Sequence, residues 1–227
     1  MPLTNQQIAL LEGAINDYDF PHNFLPSYHD FEKESELSLK MSQVEFRVRA
    51  DLIASDSKRI RNGLSNVLFW GWAQKPGRQK AWVERFRNKV DVTDSRLRDA
   101  AALFRNSHRP SLTEIKKLKL PEFSGVSFVS KIRMFLNPVE SATLDLQIMK
   151  MHTICSNTVL QHVSARSSTI PITAENSHGY ELWNTKLKYI SSQYFGGRYR
   201  VADVERGFFY LIQNGSIGDA AMILRDA

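Results

Sequence analysis

The chain has 227 residues, 42% of them hydrophobic and 24% charged, with 30 Lys and Arg against 24 Asp and Glu for a formal charge of +6. That composition excludes a disordered chain, and no apolar run reaches the ~18–20 residues of a membrane helix, so no membrane partner is expected. The single cysteine, Cys155, excludes an intrachain disulfide and a four-thiolate iron–sulfur cluster, while the basic balance favours a polyanionic partner. The opening stretch MPLTNQQIALLEG lacks the basic start and apolar centre of a secretory signal, so a cytoplasmic location is expected.

In chain order, residues 1–16 are expected as a helix, with Ile8, Leu11 and Ile15 near helical spacing and Thr4 as N-cap. Segment 16–31, NDYDFPHNFLPSYHDF, combines two prolines with five aromatic rings and is read as a structured loop. From about 32 to 54 the pattern is helical, as one helix or two, although VEFRVRADLI also shows the alternation of a strand. Residues 57–90 form the basic heart: Lys58, Arg59, Arg61, Lys75, Arg78, Lys80, Arg85, Arg87 and Lys89 surround Trp70, Trp72 and Trp82. Cations interleaved with aromatics suit phosphate contacts beside stacking surfaces. Further helices are expected at 94–108, from Ser111 to before Pro121, at 128–136, 145–165, 180–195 (ending at Gly196-Gly197), 201–213, and after Gly215. The fold class is therefore all-α, a single unit over 1–227 with two lobes.

Residues 111–136 read as helix, tight turn, helix. Gly125 is expected to supply a positive φ and a close backbone approach. The amides of Gly125, Val126 and Ser127 are expected to point outward unpaired, ready for a phosphate, with Lys116 and Lys117 adding counter-charge. Beyond this hairpin, Asn137-Pro138 ends the second helix and Asp145 opens the next. His152 and Cys155 sit three apart, but the plainer reading is an amphipathic helix, and no metal site is expected.

The stretch LPEFSGVSFVSKI (120–132), followed about twenty residues beyond Gly125 by Asp145, resembles the helix-hairpin-helix DNA glycosylase superfamily. VSKIRMFLNPVESATLD, FWGWAQKPGRQ, YELWNTKLKYIS and RYRVADVERGFF are similar to segments of its bacterial 8-oxoguanine DNA glycosylase-like group. The resemblance implies a two-lobed helical glycosylase architecture, base flipping and base excision from DNA carrying a modified base, with no cofactor, and Asp145 as the catalytic carboxylate. It further implies either repair of an oxidised purine or antiviral defence against a hypermodified phage base such as glucosylated hydroxymethylcytosine.

Lys131 departs from that family's lyase pattern. The lyase lysine stands where Val129 does here, and two residues further on is about 200° around the helix. Lys131 is thus expected to face elsewhere, on a phosphate or an acid, and the enzyme to be monofunctional. By position, Asp17, Tyr18, Phe20, Trp72, Gln74 and Trp183 are candidates for the base pocket. Asp145 also fits a plain N-cap. Two other functions remain open: a non-catalytic hairpin DNA-binding protein, and a module whose basic face meets an acidic protein. A monomer is expected.

Overall fold

Short polar caps and apolar periodicity set most helix boundaries in the computed structural model, which describes residues 2–19, 23–25, 37–73 and 75–227. Helix α1 (Asn5–Asn16) starts at Thr4, whose hydroxyl accepts the Gln7 amide while the Gln7 side chain accepts the Thr4 amide. This reciprocal pair satisfies two donors that a helix start leaves open. The strands β1 (Asn23–Phe24) and β2 (Leu37–Ser38) pair antiparallel. Helix α2 (Met41–Leu52) buries Val44, Val48 and Leu52, a helical repeat that overrides the local alternation. Helix α3 (Ser57–Gly71) is buried almost without interruption from Asn62 to Trp70. Helices α4 (Pro76–Arg87), α5 (Asp94–Asn106, capped by Thr93) and α6 (Leu112–Lys117, with a Ser111–Glu114 capping box) follow. Then come α7 (Val126–Leu136) and α8 (Leu146–Ile154).

The helix expected over 145–165 stops at Ile154. Cys155 is extended, and a separate 3₁₀ turn, Val159–His162, is opened by the Thr158 hydroxyl, which accepts the Leu160 amide. The polar run Ser156-Asn157-Thr158 offers the backbone these alternative bonds. Helix α9 begins earlier than its periodicity suggested, at Ala174, because Thr173 caps it; it runs to Phe195, where Gly196 takes the left-handed conformation (φ 60°). Helices α10 (Val201–Gln213) and α11 (Ile217–Asp226) complete the chain.

Eleven helices are present among the described residues, and the chain is predominantly helical. Buried side chains from Leu3 to Leu224 form one continuous apolar core. Helix α3 packs on α2, α4, α5 and α7, while α10 packs on α1, α8, α9 and α11. Between these two groups lies α7, with Val126 and every residue from Val129 to Leu136 buried.

The α6–α7 turn corrects the expectation for Gly125. Its φ and ψ are −115° and 161°, extended values open to any residue, and the positive φ angles fall at Lys119 (51°) and Glu122 (69°) instead. Glu122 is held there by ion pairs with Lys89 and with Arg85 at 3.5 Å. Close approach is what Gly125 is for. A Cβ would lie 2.8 Å from Thr169 Oγ1, and the residue bridges Pro171.

Candidate active site

Residues 141–144, all buried and outside any helix or strand, form the segment that delivers Asp145 to the start of α8. Its backbone is gripped from both sides. The Ala142 amide donates to Asn184 Oδ1 (2.9 Å), and the Ala142 carbonyl accepts from Tyr180 Oη (2.8 Å). The Thr143 carbonyl accepts from Trp183 Nε1 (2.9 Å), and the Leu144 amide donates to Ser130 Oγ (3.1 Å) on α7. Buried backbone groups demand such partners, so α7 and α9 together dictate where this segment lies.

Asp145 uses its two carboxylate oxygens differently. Oδ1 accepts the amides of Gln147 (2.9 Å) and Ile148 (3.3 Å), so the residue is an N-cap. Oδ2 accepts from Lys131 Nζ at 3.4 Å. The Lys131 ammonium also donates to the Ser127 carbonyl one turn back (3.1 Å) and lies 5.4 Å from the centre of the Phe128 ring and 5.9 Å from that of Trp70. Lys131 is only 5% exposed. Its butyl chain passes Gly71, where a Cβ would come within 3.1 Å of Lys131 Cδ and 2.5 Å of the Phe128 ring.

Lys131 does meet an acid as expected, but that acid is Asp145 itself, so the expectation that it faces away from the site is overturned. Helical phase separates inward from outward positions only where a helix has one inward face, and α7 is buried nearly all round. Val129 is the residue that turns into the apolar core (0% exposed), and Lys131 takes the side facing Asp145.

Around this pair is a recess lined by Tyr18, Trp70, Gly71, Lys131, Thr143, Asp145, Glu205 and Phe209. Its volume is about 40 Å³, room for a few waters, against ~150 Å³ for a cavity known to take up one benzene ring. A nucleobase therefore enters only if the walls part. Glu205 is 3% exposed and accepts a hydrogen bond from Thr143 Oγ1 at 2.6 Å. Burial first, and the nearby Asp145 charge second among the raising effects, push its carboxyl up to about 7, against the opposing Thr143 bond, Arg206 and Lys131. Burial likewise holds the Tyr18 hydroxyl well above its ordinary range, partly offset by Arg206.

Of the residues that sequence reasoning assigned to a pocket, Tyr18 lines the recess. Asp17 is an exposed C-cap of α1. Trp72 lies outside the lining: it stacks on Trp82 (5.3 Å between centroids, 9°) and leans on Phe128 at 5.5 Å. Trp183 is wholly buried behind the recess, where it supports Thr143 rather than forming a wall. Phe20 and Gln74 lie outside the described residues. Trp70, Gly71, Thr143, Glu205 and Phe209 were missed. The signal for Glu205 was an acid inside the apolar run of α10, VADVERGFFYLI.

At the hairpin, the expectation of free amides needs correction. The Val126 amide donates to the Ile170 carbonyl (2.9 Å), and Lys116 Nζ donates to the Ile172 carbonyl (2.9 Å), so the 170–172 segment occupies part of the predicted phosphate site. Ser127 is half-buried and Lys117 exposed. In the basic segment leading into and through α4, Arg85 lies 5.0 Å from the Trp82 centroid and Lys75 5.6 Å from that of Trp72. No group of His, Cys, Asp and Glu able to hold a metal occurs among the described residues. The chain finds no match among known protein families, curated proteins or solved structures.

Proposed function

We propose that the protein is a DNA glycosylase of two-lobed helix-hairpin-helix type, which hydrolyses the N-glycosidic bond of a flipped modified base and leaves an abasic site. The observation that carries this reading is the meeting of Asp145 and Lys131 in one aromatic-walled recess, beside the helix that leaves the hairpin. Breaking an N-glycosidic bond develops oxocarbenium-like charge on the sugar, which a carboxylate held at a fixed place stabilises. Asp145 Oδ2 is the oxygen available for that work and for accepting a proton from water, because Oδ1 is committed to two amides. The base is an oxidised purine or a hypermodified phage base such as glucosylated hydroxymethylcytosine. The Trp72–Trp82 stack with its flanking cations suits contact with the strand on either side of the flipped nucleotide.

The position of Lys131 favours a second reading, excision coupled to strand nicking. The expectation of a monofunctional enzyme rested on Lys131 facing away, and its Nζ instead lies 3.4 Å from Asp145. As a neutral amine it would form an N–C1′ bond while the C1′–base bond breaks, with Asp145 accepting the amine proton.

Both readings are tested by single-turnover incubation with duplexes carrying 8-oxoguanine, glucosylated hydroxymethylcytosine and other modified bases. Wild type is expected to yield abasic sites, and Asp145→Asn to be slower by at least ~100-fold. Borohydride trapping of a protein–DNA adduct, lost in Lys131→Gln, marks the lyase. Full activity in Asp145→Asn refutes the role given to this carboxylate. Steeply salt-dependent DNA binding with no product on any duplex leaves the non-catalytic hairpin protein as the better description.

A further inference from the structure

Glu205 has no place in the chemistry described so far, yet it is the most unusual ionisable group in the recess. It sits on α10 among Val201, Ala202, Val204, Phe208 and Phe209, all buried. A carboxylate at such a position needs a cation or several donors. Glu205 receives the Thr143 hydroxyl. The cations around it are engaged elsewhere: Arg206 pairs with Glu45 (2.6 Å) and Asp203 (3.2 Å), and Lys131 with Asp145. Asp145, Arg206 and Lys131 are the charged groups acting on it, and Tyr18 shares the recess wall. The carboxyl, pushed up to about 7, therefore keeps its proton in a substantial share of molecules near neutral pH. With Thr143 donating to Oε1, the acidic proton belongs on Oε2.

A departing base leaves with the bonding electron pair and needs a proton; Asp145 acts as a carboxylate, and the Lys131 ammonium is directed at Asp145 Oδ2 and the Ser127 carbonyl. We propose that Glu205 is the general acid that protonates the departing base, which restricts the substrate to bases presenting an unprotonated ring nitrogen or carbonyl oxygen toward α10. This inference rests on the glycosylase reading. In the step, the Glu205 O–H bond breaks and its proton goes to the base, while the C1′–N bond breaks with its electrons going to the base. Water adds its oxygen to C1′ and gives a proton to Asp145. That proton returns through solvent to Glu205, so the net change is addition of one water across the bond. Where Lys131 attacks instead of water, the proton lost by its amine closes the same cycle.

The test is the pH dependence, from pH 5 to 9, of single-turnover excision from duplexes carrying 8-oxoguanine or glucosylated hydroxymethylcytosine. Wild type is expected to slow about tenfold per pH step above a midpoint near 7. Glu205→Gln keeps the shape and the Thr143 contact but has no proton to give. It is expected to be ~100-fold slower at pH 6, with the alkaline decline abolished. Thr143→Val provides a second measurement, independent of whether the Gln variant folds. The Thr143 hydroxyl holds the Glu205 carboxyl down, so its removal moves the alkaline limb to higher pH. A Glu205→Gln enzyme with the wild-type rate and pH profile overturns the proposal and leaves the glycosylase reading intact, and so does a Thr143→Val limb that stays in place. Absence of abasic product from wild type on either duplex at every pH, and across the wider panel of modified bases, sinks the glycosylase reading and this inference with it.

Discussion

Replacing Glu205 by Gln is expected to stabilise the fold at alkaline pH, whatever the protein's activity. In the unfolded chain this carboxyl ionises near 4.5, and in the fold near 7, because burial disfavours the charge. Between those values the native state keeps a proton that the unfolded state has released, so stability falls as pH rises. Each pH step of one costs ~1.4 kcal/mol, hence about 3 kcal/mol across the interval, with no further loss above about 7 where both states are ionised. At 3% exposure, solvent screening does not reduce this figure. Gln removes the penalty and still accepts from Thr143. The variant is expected to match wild type within ~1 kcal/mol at pH 4.5 and to exceed it by about 3 kcal/mol at pH 8. Urea unfolding followed by the fluorescence of the four tryptophans, at pH 4.5, 6, 7 and 8, measures the difference. Carboxyls distant from Glu205 contribute equally to both proteins and cancel. A stability difference that does not change with pH refutes the assignment of a neutral buried acid here.

Two further substitutions probe the walls and the scaffold. Gly71→Ala places a methyl 2.5 Å from the Phe128 ring and 3.1 Å from Lys131 Cδ, and overpacking of this kind costs ~1–3 kcal/mol. The variant is expected to unfold at lower urea and, by displacing the Lys131 chain, to lose borohydride trapping; wild-type stability shows that the recess yields freely at this point. Trp183→Phe removes the donor to the Thr143 carbonyl and leaves it buried without a partner, a loss of about 2 kcal/mol. Urea unfolding reads that loss, single-turnover excision is expected to slow because the same segment carries Thr143 and Asp145, and unchanged stability argues that the segment is held by its other bonds alone.

Local signals were enough for much of the architecture. Thr4 with Gln7, Ser111 with Glu114, and Gly196 mark helix ends through bonds and backbone angles that span only a few residues, so they are legible in the chain itself. Asp145 as the first residue before a helix belongs to the same class, because its Oδ1 bonds reach only two and three residues ahead. The all-α class follows from these caps together with the apolar periodicity.

Tertiary structure alone decided the rest. Whether Lys131 or Val129 faces Asp145 depends on which neighbour covers each side of a helix buried nearly all round, and periodicity carries no such information. The loss of the Val126 amide to Ile170, and the retreat of Trp183 behind Thr143, come from partners some 40 residues away. Glu205 is the clearest case. Its neutrality depends on burial, on the charge of Asp145, 60 residues earlier, and on the commitment of Arg206 to Glu45 across the fold. The sequence by itself determined the helical class, many of the helix ends and the acid at the head of α8. Only packing decided which charges meet in the recess, because desolvation and long-range pairing arise only when distant segments come together.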